Sequence, residues 1–305
     1  MVKAAVKKIK KATVSLNGQS NGVAVPTERL DVKKTYKLYI DGKFPRTESG
    51  RFTSFKTVSS TVNICRSSRK DLRDAIVSNR KALEGWSNRS AYNKGQILYR
   101  IAETLESRKA QFIDTFRQQG MSPAAAKTEI EKAVDLLVYY AGWTDKYIQI
   151  FSGVNPVESS HFNFSYPEPT GVTVIYPAEN SGLVSFISAV APVIAGGNTC
   201  TVIVSGNYPL TVIDFAEVLN ASDVPGGVVN ILTGQRKELL GPAAMHMDIN
   251  AIITEDLTAE QRKTLQIQSA ANLKRLIDFS NEAVQSPYRI LNCQEIKTTW
   301  HPIGI

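Results

Sequence analysis

At His161 the hydrophobic period of this 305-residue chain changes, and that change limits the folds open to it. Upstream, apolar residues recur every three to four positions along long segments. Downstream, short apolar runs take turns with helical patterns. Residues 171–176, 199–204, 228–232, 251–254 and 275–279 read as strands, with helices at 181–195, at 210–219 and in the later gaps. Such alternation implies right-handed βαβ units and an α/β fold, a doubly wound parallel sheet of the Rossmann-like kind. No internal repeat of about 20 to 50 residues competes with this reading.

Ahead of the switch, Thr35-Tyr36-Lys37-Leu38-Tyr39-Ile40 alternates and ends at Asp41-Gly42, a hairpin-turn pair. Three helices are expected next. Leu72, Ile76 and Leu83 share a face of the first, with Ala75 and Ala82 beside them. The second carries Leu98, Ile101, Leu105, Phe112 and Phe116 in one stripe, with Arg100, Glu103, Ser107 and Asp114 opposite. Ser122-Pro123 supplies an N-cap and a first-turn proline for the third, which buries Ile130, Val134, Leu137 and Ala141. These stripes are core-forming faces, not cofactor boxes. At the switch itself, Phe162, Phe164 and Tyr166 alternate with Asn163 and Ser165, and Pro167 and Pro169 are expected to stop that strand. The run Glu295-Ile296-Lys297-Thr298-Thr299-Trp300 is the final strand candidate.

Composition narrows the class. An apolar content of 43% is ample for a buried core, and no run of about 18 apolar residues offers a membrane span. The net charge of +8 owes much to Lys3, Lys7, Lys8, Lys10 and Lys11, which precede the first acid, Glu28. Such a start suits a solvated tail, an organelle-targeting presequence or a nucleic-acid arm. It has neither the arginine richness of transit peptides nor the apolar segment of a secretory signal, so residues 1–33 are expected to be a basic flexible tail. Cys65, Cys200 and Cys293 are widely spaced, without a CxxC pair, and His161, His246 and His301 show no metal-ligand spacing. A disulfide scaffold and a metal site are therefore not expected; a reducing, intracellular and cytoplasmic setting is.

A set of short motifs adds a family resemblance. Tyr139-Tyr140-Ala141-Gly142-Trp143-Thr144-Asp145-Lys146-Tyr147 resembles the YYAGWADK signature of aldehyde dehydrogenases. Six more pieces occur in that family's order. Lys37-Leu38-Tyr39-Ile40-Asp41-Gly42-Lys43-Phe44 resembles its first strand. Arg80-Lys81-Ala82-Leu83-Glu84-Gly85-Trp86 and Gly95-Gln96-Ile97-Leu98-Tyr99-Arg100-Ile101-Ala102 resemble its helices. Glu168-Pro169-Thr170-Gly171-Val172, Ala195-Gly196-Gly197-Asn198 and Pro225-Gly226-Gly227-Val228-Val229-Asn230 resemble its EPvGV lead-in, A.GN turn and PpGVvN turn. Each piece alone is weak, but together they cover roughly residues 35–280 plus the last strand.

The resemblance implies site positions, and most are altered. Asn180 falls on the asparagine that helps hold the oxyanion, a vestigial position here because its Trp and Phe neighbours have become Glu179 and Ser181. The K.(A/S)E motif, whose lysine and glutamate contact the adenosine ribose, aligns with Ile203, Ser205 and Gly206. The F(T)GS motif at the pyrophosphate aligns with Thr254, Glu255, Asp256 and Leu257. Two carboxylates there would repel a pyrophosphate, so NAD(P) binding is expected to be lost or weak, with no cofactor. Beyond Asn272-Leu273-Lys274-Arg275, the catalytic glutamate position falls on Phe279, and Asn281-Glu282 replace the glycine pair. The adjacent Asp278 should point to the other face of the strand. Cys293 does not sit in a loop like the family's nucleophile loop, and the cysteine-bearing catalytic domain is expected to be missing.

These implications give a domain plan and three functional readings. The plan is a basic tail at 1–33, a helical layer at 34–160, an oligomerisation hairpin at 161–169, a Rossmann-like βαβ domain at 170–285 and an oligomerisation strand at 286–305. The leading reading is a shortened, non-catalytic (family 16-like) subunit that assembles with itself or with a full-length aldehyde dehydrogenase, without membrane contact. The second is an NAD(P)-dependent aldehyde oxidoreductase active only in a complex. The third is a nucleic-acid-associated scaffold using the stretch from Lys3 to Lys11.

Overall fold

The computed structural model describes residues 32–180, 182–204, 206–280 and 284–304. The basic start, Lys3 to Lys11 included, lies outside the described residues. The described residues open with β1 (Thr35–Tyr36), followed by β2 (Phe52–Lys56) and β3 (Thr61–Cys65). In this small sheet β3 is central, parallel to β1 and antiparallel to β2. Between β1 and β2 the expected turn forms: Ile40 bridges Lys43, with Asp41 and Gly42 both at positive φ, 56° and 70°.

Helix α1 (Arg69–Ser87) starts in a capping box. Ser68 Oγ accepts from the Asp71 amide at 3.3 Å, and the Asp71 carboxylate accepts from the Ser68 amide at 2.7 Å. The single long helix expected next is two, α2 (Ala91–Ser107) and α3 (Lys109–Gln118), divided at Arg108. The stripe does not register the break, because Leu105 and Phe112 are seven residues, about two helical turns, apart. Helix α4 (Pro123–Ala141) begins as expected, with Ser122 Oγ accepting from the Ala125 amide at 3.3 Å and proline in the first turn. A short α5 (Lys146–Phe151) follows.

A second small sheet comes next, from β4 (Gly153–Asn155) and β5 (His161–Pro169). Strand β5 runs past Pro167 and ends, as expected, at Pro169. The remaining elements alternate: β6 (Val172–Tyr176), α6 (Leu183–Ala195), β7 (Thr199–Val204), α7 (Pro209–Ala221), β8 (Val229–Thr233), α8 (Arg236–Met245), β9 (Ala251–Thr254), α9 (Ala259–Ala270), β10 (Arg275–Asp278), α10 (Tyr288–Leu291) and β11 (Gln294–Pro302). The last strand returns to the second small sheet, giving the order β11-β5-β4 with all pairs antiparallel.

The register explains the tolerated prolines. The Thr170 amide donates to Cys293 O at 3.2 Å and the Ile303 amide to Ser160 O at 2.9 Å. With Glu295 opposite Glu168, alternate pairs exchange hydrogen bonds. Pro167, Pro169 and Pro302 all fall on the other set, so none removes a bond between β5 and β11. On the opposite edge β4 already ends, with Gly153 opposite Ser165.

The main sheet is parallel, in the order β10-β9-β6-β7-β8. The chain winds outward from β6 through β7 to β8, then crosses to β9 and β10. One face, with Val172, Val174 and Tyr176, packs on α1, α8 and α9 through Leu72, Leu239 and Leu265. The other, with Ile175, Val202 and Ile253, packs on α2 to α4, α6 and α7. Both faces being covered is why these strands read as continuous apolar runs. The residues from Lys33 onward form one unit.

Candidate nucleotide crevice

In a doubly wound sheet the connections diverge at a switch point, and ligands settle at the carboxyl ends of the strands there. Here the switch lies between β6 and β9, so the loops leaving Tyr176 and Thr254 form the crevice. Helix α6 starts on its floor.

Each loop meets the other through its charged groups. Glu255 is buried, and its carboxylate accepts from the Ala178 amide at 3.1 Å and from the Ser185 hydroxyl. Asp256, held at φ 70°, accepts from the Glu179 amide at 2.7 Å. A third acid arrives from α4: Glu129 Oε1 accepts from the Val184 amide at 2.9 Å, at the start of α6. Gly182, the N-cap residue of that helix, makes no side-chain cap.

Two guanidiniums complete the arrangement. Arg289, only 1% exposed, reaches in from α10; its Nη1 lies 3.4 Å from Glu255 Oε1 and donates to Ser188 O at 3.0 Å. Its Nη2 donates to Phe279 O at 3.1 Å, and its guanidinium stacks 4.4 Å above the Phe279 ring. Arg236, 5% exposed, donates to Asp256 Oδ1 at 2.6 Å and to Pro177 O, and sits 3.5 Å from Glu179 Oε1. Beside these groups opens a cavity of about 430 Å³, lined by Phe55, Ile64, Val204, Thr233, Gln235 and Lys237.

Asn180 lies in the exposed turn after β6, where its Oδ1 accepts from Asn207 Nδ2 at 3.3 Å. Ile203 is buried in the core under the sheet. At Gly206, φ 139°, a Cβ would fall 2.4 Å from Glu179 O, so this loop excludes a side chain where the family motif has its glutamate. Ser205 and the pair Asn281-Glu282 lie outside the described residues.

Asp278 is engaged by Arg262 and by the Ser280 amide at 3.0 Å. Burial opposes ionisation of Asp278, but the bonds from Ser280 and Arg262 outweigh it and hold the carboxyl below its usual range. That makes it a structural anion and a weak base. Cys65, Cys200 and Cys293 are all buried, and burial pushes the Cys200 thiol up. Among the described residues no group of three or more His, Cys, Asp or Glu could hold a metal ion, and no helix is long and apolar enough to cross a membrane.

Sequence reasoning found Glu255 and Asp256 but missed Arg236, Arg289, Glu129 and Ser185. Ser185 and Arg289 show in the sequence as polar residues interrupting apolar runs, whereas Arg236 and Glu129 sit among other polar residues and carry no such signal.

The same architecture occurs in known proteins. A solved aldehyde dehydrogenase from Bacillus cereus superposes with a TM-score of 0.75 at 23% identity, over 80% of this chain and 50% of that one. An aldehyde dehydrogenase of Aspergillus niger is 29% identical over 279 residues, covering 88% of this chain and 54% of that protein. Omega-crystallin of Enteroctopus dofleini is 27% identical over 83% of this chain and 52% of its own length. The chain thus spans about half the length of these relatives. The model of the aldehyde dehydrogenase family matches residues 47–282, and the chain belongs to that family.

Proposed function

We propose that this chain is a non-catalytic aldehyde dehydrogenase relative that works as an assembly subunit, pairing with a second copy of itself or with a complete family member. The observation that carries this is the outer edge of β11. By the register above, the amides of Ile296, Thr298 and Trp300 point away from β5, and no strand pairs with them among the described residues. Ile296 and Trp300 are 53% and 57% exposed on this edge, and Phe162 on β5 is 44% exposed. An open edge flanked by exposed apolar side chains is a template for strand addition.

The chemistry of the crevice supports the non-catalytic part. Asn180 has no accessible thiol near it, since all three cysteines are buried. Only residues 279–293 lie between β10 and β11, and from among them Arg289 reaches back to Phe279 O and to Glu255 in the crevice. The residues at the switch point do not fit a dinucleotide: carboxylates stand where a pyrophosphate would be held, so we infer that NAD(P) binds weakly or not at all.

The test is native mass measurement of the full chain, alone and mixed with a complete aldehyde dehydrogenase, with NAD-dependent thermal shift on the same samples. A stoichiometric complex or a homo-oligomer, with no shift, is the expected result. A monomer stabilised by NAD would reject the reading and favour an oxidoreductase.

A further inference from the structure

We propose that the crevice at the switch point is an anion site closed by the chain's own carboxylates, with Asp256 as the removable occupant. This deepens the reading of the crevice given above.

Three acids, two adjacent on the loop after β9 and one from α4, take three amides. Glu255 takes Ala178, Asp256 takes Glu179, and Glu129, from another layer of the fold, takes Val184. Amides exposed at a helix start and its preceding loop make an electropositive concavity that an anion fills. Here side chains fill it, so folding supplies the ligand.

The two arginines show that the fill is more than capping. A guanidinium that is nearly inaccessible requires an anion beside it, because burying an uncompensated charge is costly. Arg289 has Glu255, and Arg236 has Asp256 with Glu179 at the margin. Asp256 also adopts a left-handed conformation that non-glycine residues rarely take. The carboxylate is thus held in place against a local backbone preference.

Asp256 and Glu255 differ in reach. Glu255 is locked between Ser185, Ala178 and Arg289 inside the fold. The Asp256 side chain is 35% exposed and bonds Arg236, which lines the cavity of about 430 Å³ together with Lys237. Removing the Asp256 carboxylate frees the Glu179 amide and leaves the Arg236 guanidinium, at the wall of that cavity, with the Glu179 carboxylate 3.5 Å away as its remaining acid. The chemical class that fits them is a compact, multiply charged oxyanion.

The experiment compares the wild-type chain with Asp256→Ser, using inorganic pyrophosphate and sulfate in thermal shift and titration calorimetry. Asp256→Asn, which keeps the shape without the charge, is the second variant. Circular dichroism confirms that each is folded. The wild type should show no saturable binding at millimolar pyrophosphate, and at least one folded variant should bind at least about tenfold more tightly. Saturable binding by the wild type would overturn the proposal, and so would folded variants that bind no better than wild type. If neither variant folds, Arg236→Met decides: a variant that folds without loss of thermal stability shows that the guanidinium and carboxylate do not lock the crevice, and a destabilised one supports the lock. The oligomeric state of the same samples tests the assembly reading separately, since a monomeric wild type with a closed crevice would reject only that reading.

Discussion

Arg289 and Asp71 show how single polar groups are committed inside this fold. Removing Arg289 would leave Glu255 buried without its cation, which costs about 3–5 kcal/mol in comparable pairs. Arg289→Met should therefore lower the urea midpoint sharply, and adding Glu255→Gln should restore part of the loss. Additive losses in that double-mutant cycle would show that the two groups do not interact. Asp71 is a different case. Burial opposes its ionisation, but hydrogen bonds from Thr47 and from the Ser68 and Glu48 amides outweigh this and hold the carboxyl below its usual range. A depressed folded value means the contribution is present above the unfolded value, near pH 4, and is lost as pH falls through the folded one. Asp71→Ala should cost about 1–2 kcal/mol at pH 7 by thermal melting, and the gap from wild type should narrow below about pH 4.

At the scale of elements, β11 offers a sharp test because its two edges are chemically distinct. The Thr298 amide faces outward, whereas the Thr299 amide faces β5. Thr298→Pro should leave the fold intact, apart from the 2.8 Å hydroxyl contact with Ser165, and should abolish any assembly through the edge. Thr299→Pro should break the strand pair itself and lower thermal stability. Size-exclusion chromatography with light scattering separates the two: an oligomer that survives Thr298→Pro would place the interface elsewhere. The same strands show what a sequence can reveal. Ser122-Pro123 announced α4 because capping is local, and the main strands announced themselves because both faces of the sheet are covered. The break at Arg108 was hidden by a stripe that stays in phase across it. The hairpin of β2 and β3 was passed over although β3 alternates over Thr61 to Ile64, because four of the five residues of β2 are exposed and that partner strand offers no alternation to read. At the crevice, Glu255 and Asp256 were visible through a motif, but their partners lie tens of residues away, and only the fold brings them together.

For the whole molecule, the closed crevice and the open edge make one argument about where stability comes from. A protein that binds a ligand only when folded gains RT ln(1 + [L]/Kd), about 2.7 kcal/mol at a hundredfold excess over Kd. In this chain the carboxylates of Glu255 and Asp256 already hold the amides and guanidiniums that such a ligand would hold. On the proposed closure of the crevice, that stabilisation is built in and does not depend on cofactor supply. Apolar surface on β5 and β11 is not covered in this way among the described residues: Phe162, Ile296 and Trp300 are exposed, and burial against another chain would stabilise it by roughly 25 cal/mol per Å². Stability should therefore respond to protein concentration and not to NAD. Raising the chain from low to high micromolar concentration should raise the melting temperature, while millimolar NAD should leave it unchanged. A melting temperature that follows NAD and ignores protein concentration would reverse both halves of this argument, making the crevice a working cofactor site and the open edge a surface of the monomer.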